Sequence, residues 1–129
     1  MNVDRIERTA QYFHDAHRDG KRFERAPEAY RPRNLQEAYA AQDRFLELSL
    51  TGLPRTAGYK IAVTSQVIQE LVGISHPCLG TIRSGSVHAS PASLPESGFH
   101  HVAIECEIAF TLKSHLDAVR DKQDRESVT

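Results

Sequence analysis

Hydrophobic residues recur at helical spacing over the first part of the chain and at a spacing of two near its end. In the first stretch, from Val3 to His17, they fall on one helix face, and Gly20 predicts the end of that helix. The face comprises Val3, Ile6, Ala10, Phe13 and Ala16 or His17. Residues 21–33 hold two prolines and many charges, so we expect an exposed connection there.

A second amphipathic helix is predicted after this connection. Asn34 is suited to cap its N-terminus, and Glu37, three residues later, is close to the capping-box pattern. The predicted buried face comprises Leu35, Ala38, Tyr39, Gln42, Phe45, Leu46 and Ser49. Gly52 predicts the end of the helix, and Pro54 prevents it from resuming. The two helices predict an N-terminal helical layer.

The pattern then changes to short strands and one short helix. Residues 58–63, GYKIAV, predict a strand. Thr64 or Ser65 can cap a third helix over residues 66–72, and Gly73 predicts its end. The apolar face of this helix is predicted to comprise Val67, Ile68, Leu71 and Val72.

A strict period of two at residues 101–112, HVAIECEIAFTL, predicts a strand with two distinct faces. One face is wholly apolar and comprises Val102, Ile104, Cys106, Ile108, Phe110 and Leu112. The other carries Glu105 and Glu107, about 7 Å apart along the backbone. Residues 73–99, before this strand, are rich in Gly, Ser, Pro and His and predict loops and short strands, with an apolar piece at 79–82.

Several of these residues could carry chemistry. The two glutamates repel each other and need a cation, a proton or water. A hard divalent metal such as Mg²⁺ or Mn²⁺ is one interpretation, and the solvated face of an antiparallel strand is the other. Lys60, within an apolar strand, either turns to solvent or meets an acid or an anionic substrate. The helix start at Ser65 either binds an anion or is an ordinary cap, and His101 is either a metal ligand or a surface histidine.

Composition and charge exclude several classes of protein. The chain has 129 residues, which suits one domain, and its net charge of −1 gives no basic field for nucleic acid or a membrane surface. The first residues lack the apolar core of a signal peptide and no apolar run reaches a membrane span, so we expect a cytoplasmic protein. The two cysteines, Cys78 and Cys106, argue against a disulfide framework or structural zinc, and Cys106 is predicted to lie in the core.

Four segments in this order resemble the 2-keto-4-pentenoate hydratase branch of the fumarylacetoacetate hydrolase family, which also contains the 4-oxalocrotonate decarboxylases. They are LQEAYAAQ (35–42), GYKIAVTSQVIQELVGI (58–74), HPCLGTI (76–82) and IECEIAFTL (104–112). The combination of GYK-I-x-x-T-S with E-x-E-x-A-F is specific. The resemblance implies an α+β fold, with an N-terminal helical region over residues 1–56. The beginning of a mixed β-sheet roll of the fumarylacetoacetate hydrolase type would follow over 57–129.

The resemblance also implies a site and a reaction. Glu105 and Glu107 would be two of three carboxylate ligands to Mg²⁺ or Mn²⁺. Lys60 would be catalytic, holding or polarising the substrate carboxylate or assisting proton transfer, and Ser65 is a further candidate for substrate binding. The enzyme would be a hydro-lyase that adds water to a 2-hydroxydienoic or 2-oxo-enoic acid. The product would be a 4-hydroxy-2-oxo acid in the catabolism of aromatic compounds.

Two departures from the family pattern leave alternatives open. The chain has Pro77-Cys78-Leu79-Gly80 where the family commonly has Pro-Asp-x-Gly. The third metal carboxylate would lie beyond Thr129, and residues 124–129 resemble only the first turn of a helix, so we expect a truncated family member. The alternatives are a decarboxylase of 2-oxo diacids and a non-catalytic remnant or partner-completed subunit. A homo-oligomer or a decarboxylase–hydratase complex is the expected assembly by resemblance.

Overall fold

The computed structural model of the chain describes residues 2–49, 56–99 and 102–113. The helices and strands of these residues are α1 (Val3–Arg18), α2 (Leu35–Leu48), β1 (Thr56–Ala62), α3 (Gln66–Val72) and β2 (Cys78–Arg83), followed by 3₁₀ turns at Ser84–Ser86 and Glu96–Gly98. A helical pair therefore precedes a short hairpin whose strands flank α3. This arrangement confirms an α+β chain with an N-terminal helical layer.

Helix α1 begins and ends as its sequence signals predict. The side-chain oxygen of Asn2 accepts a hydrogen bond from the backbone N–H of Arg5 at 3.1 Å, which caps the first turn. Beyond the last turn, Gly20 has a φ of 62°, the left-handed conformation that stops a helix. Ile6 and Ala10, from the predicted apolar face, are buried.

Helix α2 starts at the predicted cap but not with a complete capping box. The Asn34 side chain accepts from the Glu37 N–H at 2.9 Å. The Glu37 carboxylate instead accepts from the backbone N–H groups of Arg33 at 3.1 Å and Asn2 at 3.3 Å, and lies 3.6 Å from the Arg5 guanidinium. The Arg33 N–H is the main cause of the lowered pKa of Glu37. Glu37 thus joins the starts of both helices.

The predicted buried face of α2 is wrong in part. Glu37 and Ala41 are the buried residues of this helix, whereas Leu35 is 48% exposed and Ala38 is exposed. The other predicted positions are half-buried: Tyr39, Gln42, Phe45, Leu46 and Ser49. Because Glu37 turns toward α1 to receive backbone N–H groups, Leu35 and Ala38 line an open cleft beside residues 73–79.

The connection between α1 and α2 is mostly exposed, as predicted, but it also packs on both helices. The Phe23 ring lies edge-on to Phe13 of α1, with ring centres 5.6 Å apart, and to Phe45 of α2 at 6.4 Å. The Thr9 hydroxyl donates a hydrogen bond to the carbonyl of Tyr30. The connection therefore helps to close the small core of the helical layer.

Strands β1 and β2 form an antiparallel hairpin in which Lys60 lies opposite Gly80. The predicted strand is confirmed, although β1 begins earlier, at Thr56, and ends one residue before Val63. The apolar piece at 79–82 lies within β2, as expected of short strands in this region. The described sheet has these two strands alone, so the mixed β-roll is not found among the described residues.

Helix α3 is confirmed at both ends. The Ser65 hydroxyl accepts from the Ile68 N–H at 3.4 Å, and Gly73 ends the helix with a φ of 72°. Its predicted apolar face is exposed rather than buried, with Leu71 78% exposed. Within the described residues nothing covers this face, because the hairpin is too small to form a layer over it.

The helical layer meets the hairpin at Leu79. The Leu79 N–H donates to the Tyr39 hydroxyl at 3.0 Å, and the Leu79 carbonyl accepts from the Gln42 side-chain amide at 3.2 Å. Alternate residues of an antiparallel strand direct both backbone groups away from the partner strand. Leu79 is such a residue, and α2 supplies the partners that a third strand would otherwise supply.

The strand predicted over 101–112 is wrong for the part that the structure describes. Residues 102–113 form neither strand nor helix, and their apolar row is exposed, with Ile104 at 92%. The core position predicted for Cys106 is wrong for the same reason, since this residue is exposed. A strand requires a neighbour for its backbone hydrogen bonds, and within the described residues β1 and β2 pair with each other.

Some predictions fall on residues outside the described ranges. They are the helix stop at Gly52 and Pro54, the position of His101 and the helix start at residues 124–129. The division of the chain near residue 56 stays a prediction. Among the described helices, none has the length and apolarity needed to cross a membrane.

Candidate functional site

Strand β1 presents Lys60 at the middle of the hairpin. Lys60 is paired with Gly80 of β2, and its side chain is 46% exposed. A long cationic side chain can keep its stem along the hairpin while its ammonium reaches outward. Both sequence interpretations of Lys60 therefore hold, because its side chain turns to solvent and its ammonium also meets acidic side chains.

The Lys60 ammonium lies between the two glutamates of the E-x-E motif. Its nitrogen is 3.0 Å from Oε2 of Glu105 and 2.8 Å from Oε1 of Glu107. The hydrogen bond to Glu105 joins residues 45 positions apart in the sequence. Although residues 102–113 form no strand, the spacing of two still places both carboxylates on the side that faces Lys60. The structure thus brings together three predicted site residues: Lys60, Glu105 and Glu107.

The electrostatics of this cluster follow from its contacts. The pKa of Lys60 is raised, first because Glu107 accepts a hydrogen bond from the ammonium and next because Glu105 does so. The side chains of Glu105 and Glu107 are 71% and 58% exposed, so water screens these ion pairs and each contributes modestly to stability. Two carboxylates face one ammonium, which leaves the cluster with excess negative charge.

The donor set of the cluster suits a hard divalent cation in chemistry, because the described residues offer two carboxylates and Mg²⁺ is commonly held by one or two. Two carboxylate oxygens converge on one point, and carboxylate oxygen is the ligand that Mg²⁺ and Mn²⁺ prefer. In this structure the Lys60 ammonium is the cation at that point. Within the described ranges, no three His, Cys, Asp or Glu side chains come together as a metal site. A role of Glu105 and Glu107 as metal ligands stays a prediction.

Ser65 makes no described hydrogen bond to this cluster. Its hydroxyl caps α3 by accepting from the Ile68 N–H, and its described hydrogen bonds reach neither Lys60 nor the two glutamates. The ordinary role of a helix cap is therefore observed. A role of Ser65 in substrate binding stays a prediction.

A strained residue between β1 and α3 was not predicted from the sequence. Val63 has a φ of 59°, a conformation that is disfavoured for a β-branched residue. The side-chain amide of Gln69 donates to the Val63 carbonyl at 3.0 Å and helps to hold this turn. Such strain concentrates at functional segments, and here it lies between Lys60 and Ser65. Valine is a strand-forming residue, so no local signal could have revealed the turn.

A separate cleft of about 610 Å³ lies between α2 and the start of β2. Pro32, Leu35, Tyr39, His76, Cys78 and Leu79 are among its lining residues. Cys78, which stands where the resembling family commonly has an acid, lines this cleft and not the Lys60 cluster. The cleft and the cluster are thus distinct surfaces of the described residues.

Comparison with known proteins identifies sequence relatives over most of the chain. It is 28% identical over 117 residues to the 2-keto-4-pentenoate hydratase of Paraburkholderia xenovorans (strain LB400), covering 91% of this chain and 44% of the relative. It is 34% identical over 84 residues to the 2-hydroxypent-2,4-dienoate hydratase of Pseudomonas putida, covering 64% of this chain and 38% of the relative. No family model matches the chain. No solved structure matches it either.

These comparisons confirm the resemblance that the GYK-I-x-x-T-S and E-x-E-x-A-F segments indicate. The chain spans less than half the length of the curated relatives it matches. Over most of its own length, the chain is similar in sequence to the 2-keto-4-pentenoate hydratases.

Proposed function

We propose that the chain provides Lys60, Glu105 and Glu107 to the active site of a divalent-metal-dependent hydro-lyase of the 2-keto-4-pentenoate hydratase type. The observation that carries this proposal is the meeting of both carboxylates with one ammonium, 2.8–3.0 Å away, although Glu105 is 45 positions from Lys60 in the sequence. The relatives named as hydratases support the reaction class. The substrate would be a 2-hydroxydienoic or 2-oxo-enoic acid, and the product a 4-hydroxy-2-oxo acid.

The reaction adds water across a conjugated carbon–carbon double bond, with the hydroxyl on one carbon and the hydrogen on its neighbour. It is neither an oxidation nor a reduction, so it requires no redox cofactor. The substrate carries a carboxylate, and the ammonium of Lys60 can donate hydrogen bonds to it and fix its position. Lys60 can also assist proton transfer at the reacting end of the acid.

Glu105 and Glu107 would hold Mg²⁺ or Mn²⁺ through their carboxylate oxygens, with further ligands from outside the described residues. When bound, such a cation stabilises negative charge on the enolate oxygen of a 2-oxo acid. We favour hydration over decarboxylation of a 2-oxo diacid because the relatives carry hydratase names. The cytoplasm is the proposed location.

One pair of measurements tests this proposal. Calorimetry would measure Mg²⁺ or Mn²⁺ binding to the chain, and the loss of 2-hydroxypentadienoate absorbance would measure turnover. We expect Glu107→Gln to weaken metal binding about tenfold or more, since changes beyond the direct ligands already cost that much. Glu96→Gln removes an exposed carboxylate from a 3₁₀ turn and is the matched control.

The proposal fails if Glu107→Gln and Glu96→Gln bind metal as the unaltered chain does. It also fails if turnover persists without added metal and is insensitive to Glu107→Gln. If the unaltered chain binds metal through Glu107 but does not turn over 2-hydroxypentadienoate, the metal site is retained and the proposed reaction is rejected.

A second candidate function is a subunit completed by further polypeptide. The observation that favours it is the exposed apolar row of residues 102–112, including Ile108 and Phe110 at 84% and 86% exposure. The proposed occupant of this surface is the portion of the relatives that the chain does not span. Coexpression with that portion of the Paraburkholderia relative should give a complex that binds less of a hydrophobic dye than the chain alone. If no complex forms, this second candidate is rejected.

A further inference from the structure

We propose that Lys60 acts as a built-in cation, which holds Glu105 and Glu107 together until a divalent metal ion displaces its ammonium. The inference rests on the proposed function, because it takes the two glutamates as metal ligands. It adds a mechanism by which occupancy of the site controls the position of the catalytic lysine.

The geometry requires competition between the two cations. One oxygen of each carboxylate lies within 3.0 Å of the same nitrogen atom. A divalent cation held by these same two oxygens would compete with the ammonium for them. Two cations cannot share the position between these oxygens, because they would overlap and repel each other. Metal binding through these two oxygens therefore requires the ammonium to leave.

Displacement of the Lys60 ammonium requires little free energy. The Lys60 side chain is 46% exposed and its partners are more exposed, so water can solvate the released ammonium. Its stem of four carbons is flexible, and the strand holds its backbone opposite Gly80. The ammonium thus moves a short distance and stays beside the metal position.

The released ammonium has a use in the proposed reaction. A 2-oxo acid carries a carboxylate, and an ammonium released from Glu105 and Glu107 could donate hydrogen bonds to it. Metal-free protein, in contrast, keeps the ammonium engaged with Glu105 and Glu107. The exchange would therefore make binding of the anionic substrate depend on prior binding of the metal.

The same ion pairs also hold residues 102–113 in place. Among the described hydrogen bonds and ion pairs, those from Lys60 are the ones that join this segment to the hairpin. Metal ligation by both glutamates would replace that connection.

Titration with Mn²⁺ alone, followed by electron paramagnetic resonance of the free ion, tests the inference on the full chain. Lys60→Gln removes the competing cation and should tighten Mn²⁺ binding by about 2- to 30-fold, the range set by two exposed ion pairs. Lys113→Gln removes a positive charge from the same segment without touching either glutamate, and should change the affinity less. Circular dichroism of each metal-free variant checks that the helices remain.

A second readout does not require a change at Lys60. Addition of diamagnetic Mg²⁺ should shift the side-chain NMR signals of Lys60 in the unaltered chain, and this shift should disappear in Glu107→Gln.

The outcomes separate this inference from the proposed function. If Mn²⁺ binding depends on Glu107 but Lys60→Gln leaves it unchanged or weaker, the displacement is overturned and the metal site stands. A Lys60 signal that stays fixed while Mg²⁺ binds overturns the displacement in the same way. If Mn²⁺ binding is absent or indifferent to Glu107, both proposals are overturned.

Discussion

Replacement of Tyr39 by phenylalanine should loosen the hairpin at one defined amide. The Tyr39 hydroxyl accepts a hydrogen bond from the Leu79 N–H at 3.0 Å, and phenylalanine keeps the ring in the cleft while removing this acceptor. Leu79 points both backbone groups toward α2, so β1 does not supply a replacement. The effect should therefore be local to Leu79.

Its magnitude follows from the contact. A hydrogen bond of this kind contributes a net of about 0.5–1.5 kcal/mol, which corresponds to about a 2- to 13-fold change in an equilibrium constant at 25 °C. The Leu79 side chain and backbone together are 42% exposed, so water can partly replace the lost acceptor. We therefore expect the free energy of local opening at Leu79 to decrease by an amount near the lower end of this range.

Hydrogen exchange measured by NMR resolves the effect for each amide. Protection of the Leu79 amide should decrease in Tyr39→Phe, while the amides paired between β1 and β2 keep theirs. Tyr59→Phe is the matched control, because Tyr59 is 64% exposed on β1 and its hydroxyl makes no hydrogen bond in the described residues. Unchanged protection at Leu79, or an equal decrease in Tyr59→Phe, would refute the reasoning.

Three further predictions concern stability. The lowered pKa of Glu37 means that its contribution to stability is complete above about pH 5 and is lost as the pH falls through its folded pKa. In thermal denaturation, Glu37→Gln should therefore lose less stability on acidification than the unaltered chain. An equal loss of stability in both would contradict this. Thr9→Val should lower the free energy of unfolding by about 1 kcal/mol because the Tyr30 carbonyl loses its donor, and the control Thr81→Val should change it less in urea denaturation. Gly73→Ala should lower the free energy of unfolding by about 1 kcal/mol because of the positive φ alone, since nothing lies within 4 Å of the added carbon. A higher free energy of unfolding would contradict this.

The features that sequence predicted well depend on residues within a few positions of one another. The caps at Asn34 and Ser65 and the stop at Gly73 form within single turns, so their residue types are sufficient. The direction of the α2 face was less predictable. It depends on where Glu37 finds backbone N–H groups, and Asn2 lies 35 residues away.

The strand at residues 101–112 shows the limit of periodicity. Alternation shows which side chains can lie on the same side of an extended segment. A strand also needs a neighbouring strand to pair with, and the alternation does not show whether one is present. The strain at Val63 was invisible for a related reason, because valine has no preference for a left-handed turn and the surrounding contacts impose it.

The sequence by itself determined that Glu105 and Glu107 point the same way, that Lys60 stands within an apolar strand and that the relevant segments resemble a hydratase. These are properties of spacing and residue type, which act locally. Only the tertiary structure decided that the lysine meets both acids, since the hairpin and residues 102–113 must come together to place one ammonium 2.8–3.0 Å from two carboxylates. Charge attraction favours that meeting, but the path of the chain over 45 residues makes it geometrically attainable.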